Sequence, residues 1–582
     1  MTSQAPAAEH GTPTPSILAR LRSGAGPLTI AIGVILAILV LPPFYFLLHG
    51  SLVSVGPDGS TEVSFRRFAE LATRRGIIQS AINSLVFAFG SAVVALLVGG
   101  ITAWLVERTT TRLKAFAYLT TIISFGTPHV LYVSAWMLLL GRSGPINTLW
   151  RQMTGSSEPL INVYGMTSMV LIEGLLWAPL VFLMLSAILR NFNPDFEEAA
   201  RMSGANTWAT LRRITFRLAT PALFALAMLV FIRTIEAFEV PAIVGLPGGI
   251  YVLTTDIYNT MHLTMPPDIG AASAMSVVLL GIVAVLLHFY GRMTRNAERF
   301  ATVTGKNFRP KQIDLGAWSY VADGILLLFF VAMLALPLGI LAWASLLPYF
   351  QTPNVAALDL LTLRNYTNVL SSPRYMTLAI NTLIIAVVSA TAVMLLTALV
   401  AWLGARKARG SRLLDQAATM PLIFPGIVLG VGVMQLFLNV PIGVYGTIWI
   451  VAWAFIINYL PYGMRYSSAG MLQLHRELEE AAHMSGASRF AGFRRIVLPL
   501  LTPALIAGWL FIFLLAARSL TLPVLLSGPR SQTVAVAMFD LWSGGQGTEL
   551  AALGLLWTAL MTVIAVGFYI VGKRAGGGLY AS

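Results

Sequence analysis

The chain has 582 residues, of which 57% are hydrophobic and only 11% are charged. Because soluble domains contain about 25% charged residues, this composition excludes a soluble enzyme or a nucleic-acid-binding protein and predicts an integral membrane protein. In a membrane protein, the net charge of +14 is explained by arginines and lysines held at one membrane face. The absence of cysteine excludes disulfides and thiolate metal sites.

Apolar stretches long enough to cross a membrane recur along the chain, since about 20 residues span a hydrocarbon core of ~30 Å. They follow a polar stretch, residues 1–27, which we interpret as a cytoplasmic tail. With both termini in the cytoplasm, the inner segments hold about three times as many arginines and lysines as the outer loops, which favours that orientation. We predict twelve spans, at residues 28–48, 79–106, 115–140, 163–188, 221–243, 269–290, 321–346, 378–404, 413–438, 444–466, 501–523 and 549–571.

A repeat divides these spans into two halves of six. The segments 197–223 and 479–505 are identical at 17 of 27 aligned positions, at an offset of 282. Earlier in each half, Ala103-Trp104-Leu105 matches Ala401-Trp402-Leu403 at an offset of 298. Because six is an even number, both halves enter the membrane from the same side, and an axis along the membrane normal relates them.

The sequence therefore predicts an all-α polytopic membrane protein with about twelve transmembrane helices in two tandem six-helix modules. The modules occupy residues 28–290 and 319–582 and lie in a parallel pseudo-two-fold arrangement. A basic cytoplasmic linker, residues 291–318, joins them.

Each half has a loop of about thirty residues between its fourth and fifth spans, at residues 189–220 and 467–500. Loops of such length usually have a function or are disordered. Acidic residues favour a helix start in each loop, and Gly204 and Gly486 are suited to end that helix. Two short helices of mixed charge, repeated twice, suit docking to a two-fold symmetric partner.

The spacing inside these loops resembles the signature of inner-membrane permeases of binding-protein-dependent ABC importers. That signature reads E-A-A, three residues, G, nine residues, I-x-L-P. The second half contains all of it, at Glu480-Ala481-Ala482, Gly486, Ile496, Leu498 and Pro499, whereas in the first half Phe216 and Arg217 replace Leu-Pro. Fused pairs of this length look most like the ferric iron permeases, with thiamine permeases as close relatives.

The resemblance implies that the loops seat in two copies of a cytoplasmic ABC ATPase subunit, which holds ATP and Mg and which this chain does not supply. It also implies an extracytoplasmic substrate-binding protein and a lipid environment in the bacterial inner membrane. Because the sequence shows no nucleophile–base pair and no metal site, we expect no enzyme activity and no cofactor or metal on this chain, and its composition argues against nucleic acid as a partner. The candidate coupling residues are Glu197, Glu198, Ala199, Ala200, Gly204, Arg212, Arg213, Glu479, Glu480, Ala481, Ala482, Gly486, Arg494 and Arg495.

Charges inside spans indicate a translocation path, because each costs about 2.5–3.5 kcal/mol on insertion scales and therefore faces the bundle interior. The candidates are Glu173, Arg233, Glu236, Glu239 and Arg518. The offset of 282 relates Arg518 to Glu236, which predicts a cation and a carboxylate close together across the axis. The alternatives are a structural ion pair, or neutralisation of Glu236 by Arg233 on the same helix face. For Glu173 we favour a hydrogen bond to a neighbouring helix over a position in the cavity.

The substrate is less well specified. Three carboxylates against two arginines favour a cation, and ferric iron prefers hard oxygen ligands, but no His, Asp or Glu cluster has metal-ligand spacing. The expectation of ferric iron therefore rests on the resemblance, and thiamine, polyamine and phosphonate stay open. An ion-coupled secondary transporter could also have twelve spans in two parallel halves, but it would not need two matching loops. A membrane scaffold or receptor-like protein is a further alternative, and it would be recognised by failure to transport any substrate.

Overall fold

The computed structural model describes residues 26–55, 61–190, 199–200, 202–204, 206–297, 312–475 and 477–575. Within these ranges the regular structure is almost all helical, as the sequence predicts. One antiparallel pair of short strands, Val53–Val55 (β1) and Thr61–Val63 (β2), is the exception there.

The helices of the N-terminal half follow the apolar stretches closely. In chain order they are Pro27–Leu52 (α1), Arg66–Thr73 (α2), Arg75–Arg108 (α3), Lys114–Gly126 (α4), His129–Leu140 (α5), Pro145–Thr154 (α6), Met166–Arg190 (α7), Thr207–Thr210 (α8), Phe216–Ile235 (α9), Leu253–His262 (α10) and Ile269–Ala297 (α11).

The C-terminal half has the same general plan, without a counterpart of α6. Its helices are Ser319–Phe330 (α12), Leu336–Ser345 (α13), Arg364–Ser371 (α14), Pro373–Ala405 (α15), Ser411–Thr419 (α16), Gly426–Asn439 (α17), Ile448–Leu472 (α18), Glu477–Met484 (α19), Arg489–Gly492 (α20), Leu498–Arg518 (α21), Thr521–Leu526 (α22), Val534–Ser543 (α23) and Gly547–Ala575 (α24).

The predicted number of twelve spans is not confirmed. In the described part of the chain, nine helices are long and apolar enough to cross a membrane, and the number reaches eleven if each of two bent helix pairs is one span. The remaining predicted span, 444–466, corresponds to α18. This helix has 25 residues but is not among the nine that are long and apolar enough to cross a membrane.

The third predicted span of each half is a bent pair and not a straight helix. The chain turns by 111° between α4 and α5 and by 108° between the α16 segment and α17. Pro128 and Pro425 stand directly before α5 and α17. Proline has no N–H for the preceding turn and its ring clashes with that turn, so the expected straight spans at 115–140 and 413–438 break there.

The fifth predicted spans also end earlier than expected. The first half has α9 up to Ile235, followed by non-helical backbone before a π-helical turn at Pro241–Gly245. Pro241 leaves the carbonyl of Ala237 without a helical donor, and the Thr254 hydroxyl donates to that carbonyl at 2.7 Å. In the second half the break falls between α21 and α22, after Arg518.

Glycines let the long helices of each half approach closely. α3 packs along α7, and α15 packs along α18. A Cβ atom at Gly174 would lie 2.5 Å from the Cβ of Val94, and one at Gly463 would lie 2.5 Å from the Cγ1 of Val393. Small residues at such crossings are the usual basis of close helix packing in membranes.

The two halves share one core. α1 of the first half packs against α17 of the second, where Gly432 faces the backbone of Pro43. Leu131 of α5 lies against Gly554 of α24 in the same way. A single cluster of buried apolar side chains therefore includes helices from both halves.

Candidate functional site

The loop between α18 and α21 begins with α19, which carries most of its candidate coupling residues. Glu480 and Ala481 are exposed, and Ala482 is half-buried. The helix ends before Gly486, whose φ of +83° lies in the left-handed region that glycine adopts without strain. The helix-then-glycine plan of this loop is as the sequence predicts.

The second short helix of this loop leads directly into the membrane. The Ser488 hydroxyl accepts the N–H of Ala491 at 3.2 Å at the start of α20. A π-helical turn, Phe493–Val497, follows and runs into α21. This turn places Arg494 and Arg495 on the surface.

The first loop is described only in part. Glu197 and Glu198 lie outside the described residues. Ala199 and Ala200 are helical, and Gly204 has a φ of +84° that matches Gly486 of the second loop. The described part of both loops therefore has the same left-handed glycine.

Basic residues gather where the first loop joins α9. The Asn206 side chain accepts the N–H of Ala209 at 2.8 Å, and a π-helical turn, Leu211–Thr215, then carries Arg212 and Arg213. Together with Arg217 they line an open pocket of about 430 Å³. Arg217 stands where the family signature has proline, so the departure from the signature adds a third arginine here.

Glu479 differs from its exposed neighbour Glu480. The Arg406 side chain donates two hydrogen bonds to the Glu479 carboxylate, one from Nε to Oε2 at 2.9 Å and a second from Nη2 to Oε1. The Trp402 indole N–H also donates to it, at 3.3 Å. The side chains of Arg406 and Glu479 are only 20% and 15% exposed. This candidate coupling residue is therefore bound to the end of α15.

Equivalent positions of the two halves touch at the broken fifth spans. The Thr521 hydroxyl donates to Oε1 of Glu239 at 3.2 Å, and the two residues are 282 positions apart, which is the offset of the repeat. Arg518 interacts electrostatically with Glu239 and with the hydroxyls of Tyr459 and Tyr462. A carboxylate, a cation and several hydroxyls therefore meet where the halves meet.

Glu236 is bonded to a residue of its own helix and not across the axis. Arg233 donates to Oε2 of Glu236 at 3.1 Å and to the hydroxyl of Tyr462 at 2.7 Å. The other carboxylate oxygen, Oε1, is buried without a hydrogen-bond partner in the described part of the chain. The geometry thus favours the intrahelical alternative for Glu236, while the carboxylate that interacts electrostatically with Arg518 is Glu239.

A small pocket lies beside this cluster. Ser124, His129, Tyr132, Trp177 and Arg518 line it, with several apolar side chains, and its volume is about 40 Å³. His129 is the first residue of α5 and packs edge-on against Trp177 at 6.4 Å between ring centroids. The pocket thus joins the break before α5 to the end of α21.

Glu173 lies next to this pocket and is 4% exposed. The indole N–H of Trp177 donates to it at 2.8 Å, so its partner is one turn along α7 and not on the neighbouring helix that we expected. In the described ranges, no three His, Asp or Glu side chains are placed to hold a metal ion.

Comparisons with known proteins find a permease domain and similar permeases. Residues 95–299 match the model of the inner membrane component of binding-protein-dependent transport systems. The chain is 28% identical to a putative ferric transport system permease protein of Haemophilus influenzae over 87% of this chain and 79% of that protein. It is 27% identical to a ferric transport system permease protein of Actinobacillus pleuropneumoniae over 93% of this chain and 78% of that protein. A probable ABC transporter permease protein of Sinorhizobium fredii is 24% identical over 94% of this chain and 95% of that protein.

This chain carries the permease domain of binding-protein-dependent transport systems.

Sequence analysis missed several polar residues of this permease. Tyr459 and Tyr462 of α18 contribute hydroxyls to the central cluster, and aromatic residues in a span are usually packing, so no signal pointed to them. Trp402, near the end of α15, and Arg406, just after it, do have a signal in the sequence, since the Ala-Trp-Leu repeat marks the end of the second span in both halves.

Proposed function

We propose that this permease forms the membrane path of an ATP-driven importer of ferric iron. The observation that carries the proposal is the similarity to two ferric transport permeases over 87% and 93% of this chain. The in-membrane charges agree with a cationic cargo, because Glu173, Glu236 and Glu239 outnumber Arg233 and Arg518. Carboxylates and hydroxyls are also the hard oxygen groups that ferric iron prefers.

The partners follow from the two loops. Two copies of a cytoplasmic ABC ATPase would dock on the loops and hold ATP and Mg, so this chain needs no cofactor and hydrolyses nothing. The exposure of Glu480, Arg494 and Arg495 in the second loop supports such a docking surface. An extracytoplasmic binding protein would deliver the cargo on the opposite face.

The proposed arrangement has both termini in the cytoplasm and two modules, 28–290 and 319–582, around the central axis. The contact between Glu239 and Thr521 supports it, since residues at the repeat offset meet only near an axis that relates the two halves. The excess of arginine and lysine in the predicted inner segments supports the orientation.

The cargo would pass through the central cluster, where broken spans converge. The pocket at His129 reaches Arg518 of the broken fifth span, and a Cβ at Gly426 would lie 3.3 Å from Thr521. Discontinuous helices beside polar groups are the usual setting of transport sites. With about 40 Å³ the pocket holds no more than a few waters.

The test is uptake of radioactive ferric iron by cells that lack this gene and every other iron importer. The cells carry the wild-type chain or the Glu198→Arg/Glu480→Arg double variant, and we expect uptake with the wild type alone. Equal uptake by the variant would overturn the coupling role of the loops. If neither chain takes up iron but the wild type transports thiamine or putrescine, ferric iron is not the substrate and the importer function stands.

A further inference from the structure

The second loop is held by the end of one long helix. Glu479 binds Arg406 and Trp402, which lie at the end of α15 and just after it. In contrast, Glu477, Glu480 and Ala481 of α19 are exposed. Since the side chains of Arg406 and Glu479 are mostly shielded from water, this ion pair is stronger than a surface pair.

The same tryptophan also holds the second helix of the loop. The ring of Phe493 packs on the Trp402 ring, with 4.8 Å between centroids, and Phe493 is 5% exposed. Phe493 opens the π-helical turn that carries Arg494 and Arg495. α19 and the π-helical turn that follows α20 therefore both contact one indole, and a displacement of the loop acts on the end of α15.

The far end of α15 is attached just as firmly. The helix has 33 residues and is about 50 Å long at ~1.5 Å per residue. Near its start, the Asn381 amide donates to the carbonyls of Arg530 and Gln532 at 3.1 and 3.2 Å. The Thr382 hydroxyl accepts the N–H of Val534 at 2.9 Å. These bonds hold the segment between the broken fifth span and α23.

The first half repeats the distal attachment. The Asn83 amide donates to the carbonyl of Tyr251 at 2.9 Å, and the Ser84 hydroxyl accepts the N–H of Leu253 at 2.9 Å. Asn83 and Ser84 are the counterparts of Asn381 and Thr382 at the offset of 298. At the same offset, Arg108, which is 1% exposed, is the counterpart of Arg406. The attachment of this long helix at the end away from the loop is thus a feature of the repeat.

We propose that Glu479, Arg406 and Trp402 form a joint through which the second loop moves α15 and, through it, the segment that follows the broken fifth span. Glu479 is then a positioning residue of this permease and not a contact to the ATPase. To transmit motion between the loop and the segment after the broken fifth span, one element must be connected to both of them. α15, which is bonded at each end, is such an element. This proposal rests on the proposed importer function.

The first test measures coupling in proteoliposomes that contain the permease, its ATPase and the binding protein loaded with ferric iron. We expect Arg406→Gln and Glu479→Gln to lower iron uptake per ATP hydrolysed about tenfold, within the ~5–150-fold range of allosteric coupling. The matched control is Glu477→Gln, which neutralises an exposed carboxylate of the same helix and is expected to leave the ratio unchanged. A ratio in Arg406→Gln equal to that of the control would overturn the joint.

The second test separates the joint from a general loss of stability. The exchanged pair Arg406→Glu/Glu479→Arg restores the ion pair with its charges reversed, and we expect it to recover much of the uptake that each single variant loses. An exchanged pair that is folded but transports no better than the single variants would overturn the proposal.

The third test does not depend on iron or on the ATPase. Hydrogen exchange of the backbone N–H groups of α19 is measured in the permease alone, where we expect faster exchange in Arg406→Gln than in the wild type or in Glu477→Gln. Unchanged exchange would overturn the joint. If the wild-type complex transports no iron while exchange responds as expected, the substrate proposal fails and the joint stands.

Discussion

The residues Arg233 and Glu236 show how charge is accommodated at the end of α9. Their side chains are 25% and 9% exposed, and Arg233 has a second partner in the Tyr462 hydroxyl. The pair Arg66–Glu70 has similar hydrogen-bond geometry, but its side chains are 78% and 56% exposed. The two pairs therefore differ in burial and not in the distance between their charged atoms. Burial matters for stability because removing one partner of a buried pair leaves a charge that water cannot solvate.

We expect Glu236→Gln to lower the free energy of unfolding by about 3 kcal/mol, the lower end of the cost of breaking a buried pair. Glu70→Gln is the matched control and is expected to cost less than about 1 kcal/mol, because its pair is exposed to water. Unfolding of the purified permease in detergent measures both. A larger effect at Glu70 than at Glu236 would contradict the structural assignment of the buried pair.

Glu239 has the surroundings of a functional carboxylate. It accepts a hydrogen bond from its repeat counterpart Thr521 and faces Arg518, so it joins the two halves where the spans are broken. We expect Glu239→Gln to lower iron uptake about tenfold, because a hydrogen-bonded charge contributes ~1.5–3 kcal/mol. Thr521→Ser, which keeps the donor, is the control and is expected to transport normally. Normal uptake in Glu239→Gln would remove this residue from the path.

At the scale of the helix, the apolar stretches predicted where most spans lie but not how they break. The limits of α1 and α3 follow from hydropathy alone. The bends before α5 and α17 follow from Pro128 and Pro425, which lie inside apolar runs that hydropathy alone predicts to be continuous helices. The central cluster could not be predicted either, since it depends on which faces of α18 and α21 meet after folding.

Helix packing gives a prediction at this scale. Gly174 and Gly281 both lie inside long apolar helices, but a Cβ at Gly174 would lie 2.5 Å from Val94, whereas one at Gly281 would meet nothing within 4 Å. We expect Gly174→Ala to destabilise the permease by about 1–3 kcal/mol, the usual cost of overpacking. Gly281→Ala is expected to be neutral or slightly stabilising, because alanine favours a helix over glycine. Thermal unfolding in detergent measures both, and equal midpoints would contradict the packing of α3 on α7.

The whole molecule can be tested through the symmetry of its loops. Met202 and Met484 are 282 positions apart and are each 90% exposed, so they are equivalent points on the two loops. Since the chain has no cysteine, Met202→Cys and Met484→Cys each introduce a single reactive thiol. Met265→Cys places one on the connection between α10 and α11, where Met265 is 95% exposed.

Parallel halves require both loop cysteines to react from the same side of the membrane. We expect a membrane-impermeant thiol reagent to label Met202→Cys and Met484→Cys in inverted vesicles but not in intact cells, and to label Met265→Cys in intact cells. Labelling of the two loop cysteines from opposite sides would show that an axis along the membrane normal does not relate the halves. If the loops also bind ATPase subunits, adding those subunits to the vesicles is expected to slow labelling of both loop cysteines, because their docking surfaces would cover the loops on that side.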